Sequence, residues 1–422
     1  MNKKRSLRFL AVIGVLSLVV AACGDSGAEF EAGELGAVTV EAGEAIQIRS
    51  LNAISGEVAF LGIPNERAIR MAVEDYGQIH GHDVEVGAGL DDLCSAEGGQ
   101  QAAQTIVSDE QVVGVIGTSC SGAASGAMPI INDAGLAMIS ASNTSPSLTS
   151  DLEGTAGENY YEGYYRTAHN DLFQGQAAAN FVFNNLGLTK VGLIHDGDPY
   201  TNGLTTAFEN AFEELGGEIV IHTAVTVGQT DMVPVLTEVA AAGPELIFMP
   251  IFPAEATFIV QQAPGVSGLE NVEWMGADGI SVENFMNLPE SEGMYFSGPD
   301  TRFAENTNEA TDLNGAQFLE DYESEFGEAP SADFWGHAYD ATTMLLMAIE
   351  EVAVVDGDTI HIDRAELREY LTGISGFNGL IGEISCDEYG DCGAAVISIF
   401  QHNNLADHQA SKSNILYTYP ES

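Results

Sequence analysis

The sequence predicts an α/β fold in which two doubly wound lobes, each built on a parallel sheet, are joined by a multi-strand hinge. The chain has 422 residues, which is too many for one compact core. Short apolar runs alternate with helical patterns along most of the chain, as they do in doubly wound proteins. This rhythm breaks at residues 159–171 and again at 297–302. We expect the chain to pass between the lobes at these breaks and to leave a cleft between them.

The individual elements follow from the two periodicities of apolar residues. Apolar, β-branched runs predict strands at residues 46–51, 84–86, 112–116, 136–139, 191–194, 219–225, 246–249, 272–275 and 395–400. Helical patterns, several of which end at a glycine, predict helices at residues 66–76, 100–107, 121–133, 174–186, 205–215, 232–240, 316–326 and 333–352. We expect the first lobe to comprise residues 45–170 and 300–396, and the second lobe to comprise residues 171–299 and 397–422.

The first 44 residues have a different character. Four basic residues precede an apolar run at residues 9–22, which ends in the sequence VAAC at residues 20–23. This pattern is typical of a bacterial lipoprotein signal peptide, and the run is shorter than the roughly 20 residues that a membrane-spanning helix needs. The sequence predicts a signal peptide at residues 1–22, a lipid anchor on Cys23 and an acidic, flexible tether at residues 23–44. We expect the protein to lie outside the cytoplasm, held on the cell membrane or in an outer-membrane leaflet.

The composition is strongly acidic. Lys and Arg total 13 against 63 Asp and Glu, which gives a formal net charge of −50, and four of those basic residues lie in the signal peptide. Such a field excludes nucleic acid as a partner. The acids are spread along the chain, which favours adaptation to salt or an acidic proteome over a dedicated cation site. No cofactor is expected, because the chain lacks a phosphate-binding GKS or GKT motif and the Rossmann glycine spacing.

Four cysteines remain once the lipidated one is set aside, an even number in an exported chain. We predict disulfides between Cys94 and Cys120 and between Cys386 and Cys392. Loop-closure estimates give about 3 kcal/mol of stabilisation for the longer loop and about 2 kcal/mol for the shorter one. A metal site is disfavoured, because neither pair forms a CxxC motif or has an adjacent histidine. The acids of the 387–391 turn are a conceivable calcium site, although a hydrated turn is the interpretation we favour.

The segment at residues 112–149 predicts a binding crevice. It contains two buried strands on either side of a helix, and each strand runs into a loop of small polar residues, at 119–122 and 142–145. In a βαβ unit the loops at the carboxyl ends of neighbouring parallel strands meet at one crevice. Free amides at the start of the helix near Ser121 suit a carboxylate, and no basic residue is present to serve a polyanion. The alternative is that Ser121 only caps the helix and that residues 144–146 form an ordinary turn.

Several further motifs occur in a characteristic order: NAISGEVAFLG, LDDLCSAEGGQQAAQTIVSD, GVIGTSCSGAA, LAMISASNTSPSLT, RTAHNDLFQGQ, VGLIHDGDPYTNGL, WMGADGI and GEISCDEYGD. Together they resemble the periplasmic, type I solute-binding proteins of branched-chain amino-acid ABC transporters, the leucine/isoleucine/valine-binding proteins. The resemblance extends from about residue 46 to the C-terminal region. It implies the type I periplasmic-binding-protein fold, with the ligand held between the lobes.

The resemblance also implies how a zwitterionic ligand is held. Ser121 and Thr144 match positions that bind the ligand α-carboxylate, helped by the backbone at Ser142 and Ser121. Asp278, in the motif MGADG, matches an acidic residue that pairs with the α-ammonium group. The alternative for Asp278 is an ordinary surface carboxylate in an acid-rich chain.

The apolar part of the pocket is implied in the same way. Tyr200 matches a tyrosine that closes the site from the second lobe, and Phe252 and Phe334 match aromatic pocket positions; the alternative for all three is a role in the core. The chain departs from the family where Leu61 and Phe252 replace common tyrosines, Asp278 replaces a glutamate, and Gly122 replaces a serine. These departures indicate a more apolar pocket, suited to a larger hydrophobic amino acid or another small carboxylate.

The resemblance therefore implies a monomeric, lipid-tethered receptor. It captures a hydrophobic or branched-chain L-amino acid by lobe closure and delivers it to the permease subunits of an ABC transporter, with no enzymatic activity, cofactor or metal. Related proteins bind short amides or urea, which lack the charge pair, and this is the first alternative. An exported α/β hydrolase with Ser121 as nucleophile and His195 or His337 as base is a second, but no G-x-S-x-G motif surrounds Ser121. A sensory domain is a third.

Overall fold

Two separate sheets organise the chain, and each is covered by helices. The computed structural model describes residues 30–393 and 395–420. The strands within this range are β1 Ala37–Val40, β2 Ile46–Asn52, β3 Val84–Glu85, β4 Leu90–Asp91, β5 Val112–Gly117, β6 Ala137–Ser140, β7 Tyr164–Arg166, β8 Lys190–His195, β9 Glu218–Ala224, β10 Leu246–Phe248, β11 Glu273–Ala277, β12 Tyr295–Pro299, β13 Val354–Asp356, β14 Thr359–Asp363, β15 Phe377–Gly379, β16 Gly382–Ile384, β17 Ile397–Gln401 and β18 Ile415–Tyr419.

The helices alternate with these strands. They are α1 Ala59–Tyr76, α2 Ala96–Val107, α3 Ser121–Asp133, α4 Asp171–Asn180, α5 Pro199–Glu214, α6 Val233–Ala242, α7 Pro253–Gln262, α8 Glu283–Met286, α9 Gly315–Phe326, α10 Trp335–Val352, α11 Arg364–Thr372 and α12 His408–Lys412. A π-helical turn at Phe181–Asn185 continues α4. No helix in the described part of the chain combines the length and the apolar character that crossing a membrane requires.

The predicted α/β class is confirmed. The first sheet has the order β3-β2-β5-β6-β7, with β4 also pairing with β2, and all of its pairs are parallel. The second sheet has the order β18-β17-β12-β11-β10-β8-β9 and is parallel from β9 to β12. Its other edge is antiparallel, because β17 pairs with β12 and β18 pairs with β17 in that sense. This antiparallel edge departs from the parallel sheet predicted for the second lobe.

The two predicted breaks in the rhythm each contain a strand. Residues 159–171 include β7 at the edge of the first sheet, and residues 297–302 include the end of β12 in the second. Neither strand has a clear strand pattern in the sequence, because β7 is only three residues long and β12 contains Gly298 and Pro299. The chain passes between the sheets after β7, after β12 and again before β17, so three segments connect them.

The tether predicted at residues 23–44 is too long. Ala37–Val40 forms β1, which pairs antiparallel with β14 in a separate three-stranded sheet. Val38 and Val40 are buried, and this alternation of apolar residues is what anchors the strand. Any tether therefore ends before Ala37. The signal peptide and Cys23 lie outside the described residues.

Both predicted disulfides are present, Cys94 to Cys120 and Cys386 to Cys392. The first joins the loop after β4 to the loop after β5, and the second closes the turn at residues 387–391. In the described part of the chain no group of three or more His, Cys, Asp and Glu side chains is arranged to hold a metal ion.

Candidate functional site

One pocket lies where the carboxyl ends of the parallel strands of both sheets meet. It contains about 280 Å³ of space, part of which is open to solvent. It is bounded by the segments that follow β2, β5 and β6 of the first sheet and β8, β10 and β11 of the second, together with Phe334 before α10. Its lining consists of Leu61, Ser119, Cys120, Ser121, Ser142, Tyr200, Phe252, Asp278, Gly279 and Phe334. The crevice expected from the two loops of residues 112–149 is therefore formed, with a second set of loops facing it.

Seven of the eight residues expected to contact a ligand line this pocket, and Thr144 does not. Thr144 is buried, and its backbone oxygen accepts a hydrogen bond of 2.9 Å from the amide of Asp171 at the start of α4. The Thr144 hydroxyl forms no hydrogen bond of good geometry within the described residues. The loop therefore presents Ser142 to the pocket and directs Thr144 towards the segment that leaves β7.

The first-sheet side of the pocket is a set of neutral hydrogen-bonding groups. Ser121 begins α3, and its hydroxyl accepts a bond of 3.3 Å from the amide of Ser145, which joins the two polar loops. The hydroxyl of Ser142 donates to the backbone oxygen of Ser119 at 3.0 Å. The amide of Ser142 already donates to Ser140 Oγ at 3.2 Å, so it is engaged within the loop. The first amides of α3 have no partner within the helix. The amide of Gly122 faces the carboxylate of Asp198, and the others can receive the carboxylate of a ligand.

A buried acid fixes the loop that carries Ser119. Asp92 accepts hydrogen bonds from the amide of Ser119 at 2.6 Å and from the amide of Cys94 at 2.7 Å. Burial raises the pKa of Asp92 to about 6, although these amide bonds oppose the rise. The Ser119 hydroxyl bonds in turn to Asn52 Oδ1 at 3.1 Å and accepts from the amide of Ala53 at 3.0 Å. The loop is thus held from three directions before any ligand arrives.

The second-sheet side supplies an acid. Asp278 follows β11, lines the pocket and is only 8% exposed. Its Oδ1 accepts a bond of 2.8 Å from Gln174 Nε2 and a longer one of 3.4 Å from the hydroxyl of Tyr200. Burial raises the pKa of Asp278 to about 6, and the bond from Gln174 opposes the rise. Burial and the negative charge of Asp278 raise the pKa of the Tyr200 hydroxyl well above its ordinary value, so this hydroxyl remains a donor.

Aromatic and aliphatic groups form the rest of the wall. The rings of Tyr200 and Phe252 lie 5.7 Å apart, and Phe252 packs against the cluster that contains Leu61 and Cys120. Phe334 stacks against the ring of His169, with their centroids 6.3 Å apart. Leu61 and Phe252, which stand where the resemblance implies tyrosines, therefore both line the pocket, and both are apolar.

Gly122 makes room for an acid from the opposite side of the cleft. A side chain at this position would overlap the carboxylate of Asp198, the residue that caps α5 by accepting a bond of 2.8 Å from the Tyr200 amide. Asp198 also accepts a hydrogen bond from the amide of Gly122, and burial raises the pKa of this acid to about 7. The absence of a side chain at Gly122 therefore allows the Asp198 carboxylate to lie between the first turns of two helices.

Three residues at or behind the pocket were not predicted from the sequence: Gln174, Asp198 and Gly279. Gln174 is fully buried in α4, among alanines that pack into the second sheet's core, and a polar side chain on such an apolar face is a usable signal. Asp198 precedes a proline at the start of a helix, which is a familiar capping pattern. Gly279 donates its amide to the Tyr200 hydroxyl at 3.4 Å, and nothing in the sequence marks that contact.

The arrangement suits binding rather than bond cleavage. Neutral donors face one side of the pocket and a carboxylate faces the other, which matches the two charged ends of a zwitterion. His195 and His337, the candidate bases of the hydrolase alternative, do not line the pocket. Burial lowers the pKa of His337 to about 3, and its ring packs against Phe334 and Phe303. The Ser121 hydroxyl is hydrogen-bonded by the amide of Ser145, which cannot act as a base.

The chain is similar to known proteins over most of its length. The sequence profile of the family described as periplasmic binding proteins matches residues 45–397. A leucine-, isoleucine-, valine-, threonine- and alanine-binding protein of Pseudomonas aeruginosa is 26% identical over 343 residues, covering 80% of this chain and 87% of that protein.

Two solved structures share the fold. A leucine-binding protein from Thermotoga maritima aligns with a TM-score of 0.74 and 24% identity, covering 89% of this chain and 98% of that one. A branched-chain amino-acid transporter substrate-binding protein from Streptococcus pneumoniae, solved with isoleucine, aligns with a TM-score of 0.70 and 23% identity, covering 89% and 99%.

Proposed function

Because this chain belongs to the family of periplasmic binding proteins, we propose that it is an extracytoplasmic solute-binding lipoprotein that captures a hydrophobic, branched-chain L-amino acid and delivers it to an ABC transporter permease. The observation that carries the proposal is the pocket itself, which places the Asp278 carboxylate opposite the Ser121 end of α3. An amino acid can direct its ammonium to the acid and its carboxylate to the helix amides. The relative from Pseudomonas aeruginosa, named for binding leucine, isoleucine, valine, threonine and alanine, supports a small amino acid as the ligand.

The apolar wall supports a hydrophobic side chain on the ligand. Leu61, Phe252 and Phe334 present no charge to the pocket, and their contact with a branched aliphatic group would contribute about 25 cal/mol for each Å² of apolar surface removed from water. The roles proposed for Ser121, Ser142 and Asp278 are polar contacts that fix the ligand's orientation. Thr144 would join them only through a shift of its loop.

Lobe closure is part of the proposal. We place the first lobe at residues 45–170 and 300–396 and the second at 171–299 and 397–422, since the two sheets divide between these ranges. Contacts across the cleft include the Asp198 bond to Gly122 and an ion pair of 2.8 Å between Lys412 and Asp333. These contacts would form as the lobes close on the ligand, so ligand and closure favour each other.

Lipidation and partners are proposed from the sequence. The VAAC motif at residues 20–23 supports an anchor on Cys23, and an anchored receptor can present its ligand to permease subunits in the same membrane. We propose that the protein acts as a monomer without a cofactor. The family is one of binding proteins rather than of enzymes, so no catalytic residue is assigned.

Isothermal titration of the purified protein with L-amino acids, acetamide and urea tests the ligand class. We expect saturable binding of leucine, isoleucine or valine, and none of the uncharged amides. Binding of acetamide or urea alone would overturn the amino-acid assignment and favour the alternative branch of the family. Turnover of an ester or amide that disappears in a Ser121→Ala variant would favour the hydrolase instead.

The affinity for an amino acid should depend on pH in a defined direction. Asp278 must be ionised to accept an ammonium group, and burial raises its pKa to about 6. Above that value the carboxyl is charged and binds, and below it the carboxyl is neutral, so affinity should fall as the pH falls through about 6. The measurement is titration at a series of pH values between about 5 and 8, with proton release on binding recorded near the midpoint.

Three other acids fall in the same range, since burial raises the pKa of Asp92 to about 6 and those of Asp198 and Asp340 to about 7. The Asp278→Asn variant separates them, because only the part of the pH dependence that this variant loses belongs to Asp278. A profile that is flat across the whole range would contradict the ammonium role.

A further inference from the structure

The carboxylate of Asp278 is held from behind by a chain of hydrogen bonds that ends in the segment connecting the two sheets. Gln174 Nε2 donates to Asp278 Oδ1 at 2.8 Å, and it also lies 3.1 Å from Ser297 Oγ and 3.2 Å from the Ser297 backbone oxygen. On the other end of the same amide, Oε1 lies 2.6 Å from His169 Nε2. His169 follows β7 and precedes α4, so it belongs to the first of the three connecting segments.

The direction of each hydrogen bond follows from the chemistry of the groups. The amide oxygen of Gln174 can only accept, so His169 must donate from Nε2. Burial lowers the pKa of His169 to about 4, which keeps the ring neutral and leaves Nδ1 without a proton. Nδ1 has no hydrogen-bond partner among the described residues, which agrees with that tautomer. The NH₂ group of Gln174 is consequently turned towards Asp278.

We propose that Gln174, oriented by His169, is a positioning residue that fixes the Asp278 carboxylate and keeps it ionised, and so sets the preference of the pocket for a ligand that carries an ammonium group. This role rests on the amino-acid binding function proposed above. Gln174 itself does not line the pocket, so it acts on the ligand only through Asp278. A donor fixed behind the acid stabilises its charged form and disfavours its neutral form.

The surroundings of Asp278 explain why such a donor is needed. Asp333, in the segment before α10, raises the pKa of Asp278, even though Asp333 pairs with Lys412 at 2.8 Å. Asp171 lies on the same helix as Gln174, and its own pKa is raised well above the ordinary value by burial and by the charge of Asp278. The remaining neighbour, Tyr200, donates only the long bond of 3.4 Å. Gln174 is thus the short side-chain donor that opposes burial and the charge of Asp333.

The test replaces Gln174 with methionine, which keeps the length of the side chain and removes the donor. The acidic limb of the binding profile, where affinity for the preferred amino acid falls as the pH is lowered, should then move up by about one pH unit. Since the pKa of Asp278 is about 6 in the wild type, affinity should fall about tenfold near pH 5 and about twofold near pH 7. The matched control is Gln176→Met, on the exposed face of the same helix, where the amide oxygen accepts a bond of 2.7 Å from Tyr419. This control should change neither quantity.

A second variant guards against misfolding. His169→Phe keeps a ring against Phe334 but releases the Gln174 amide, so the acidic limb should shift in the same direction by a smaller amount. Thermal unfolding of all variants identifies any that fail to fold. If Gln174→Met is one of them, an acidic limb of the binding profile that does not move in His169→Phe overturns the positioning role of Gln174.

The outcomes separate the two proposals. An unchanged limb and affinity in folded Gln174→Met, with wild-type protein that binds amino acids, overturns the positioning role and leaves the proposed function intact. Wild-type protein that binds only uncharged amides overturns both.

Discussion

Replacing Asp278 with alanine is expected to lower the affinity for an amino acid by roughly 30-fold to 5,000-fold, which corresponds to about 2 to 5 kcal/mol. The carboxylate is 8% exposed, so an ammonium group bound there would be almost fully withdrawn from water. Without the acid that charge would be buried with no counter-ion, and the cost of leaving it unpaired dominates the loss. Isothermal titration with the best amino-acid ligand measures the effect.

Two comparisons make this result specific. Glu283→Ala removes an exposed acid from α8 on the same side of the cleft and should leave the affinity within about twofold of wild type. Asp278→Asn keeps the shape and removes the charge, so it should resemble Asp278→Ala for amino acids. If Asp278→Ala retained near wild-type affinity, the ammonium would have to be held elsewhere and the orientation proposed for the ligand would be wrong.

Replacing Arg166 with methionine is expected to cost about 3 to 5 kcal/mol of the free energy of unfolding. The guanidinium is completely buried and forms an ion pair with Asp391. It also donates to the backbone oxygen of Ser145 at 2.8 Å, to that of Asn143 at 3.2 Å and to Thr149 Oγ1 at 2.6 Å. Methionine fills part of the volume but leaves the carboxylate and the two carbonyl oxygens without these donors.

Urea unfolding followed by circular dichroism measures this loss. Arg302→Met is the matched control, since Arg302 is largely exposed and pairs with Asp300 at the surface, where an ion pair contributes about 0 to 1 kcal/mol. Because Arg166 holds the loop that carries Ser142 and Ser145, Arg166→Met should also weaken ligand binding in whatever protein remains folded. Equal stability of the two variants would show that the buried pair is not needed for the fold.

Local sequence signals were sufficient for some elements and not for others. Residues 121–133 were predicted as a helix with the bounds that the structure has, because an apolar strand, a polar turn and a run of small residues succeed one another clearly. The first helix was predicted to begin at residue 66 but begins at Ala59, since Gly62 and Pro64 disguise its first turns. At Gly62 a side chain would overlap the backbone of Ala53, so this glycine serves close packing and does not interrupt the helix.

Local sequence also identifies some residues of the site and not others. Ser121, Tyr200 and Asp278 could be assigned by resemblance because each lies in a short motif directly after a predicted strand. Thr144 fits its motif equally well, but its orientation depends on the amide of Asp171, which comes from another segment. The contact between Gln174 and Asp278 joins positions 104 residues apart, and no local pattern reports such a pairing.

The small ring closed by Cys386 and Cys392 also has a consequence for how the protein must be made. The backbone oxygen of Gly390 in this ring accepts a hydrogen bond of 2.9 Å from the Arg166 amide, and the Cys392 amide donates one of 3.0 Å to the Arg166 oxygen. The ring therefore pairs with the edge of β7 through two backbone hydrogen bonds. Arg166 in turn braces the loop behind Ser142 and Ser145. Material produced in a reducing cytosol would lack that covalent brace, and its affinity would understate that of protein oxidised after export. The affinity measured for a preparation should therefore depend on whether the disulfide between Cys386 and Cys392 has formed.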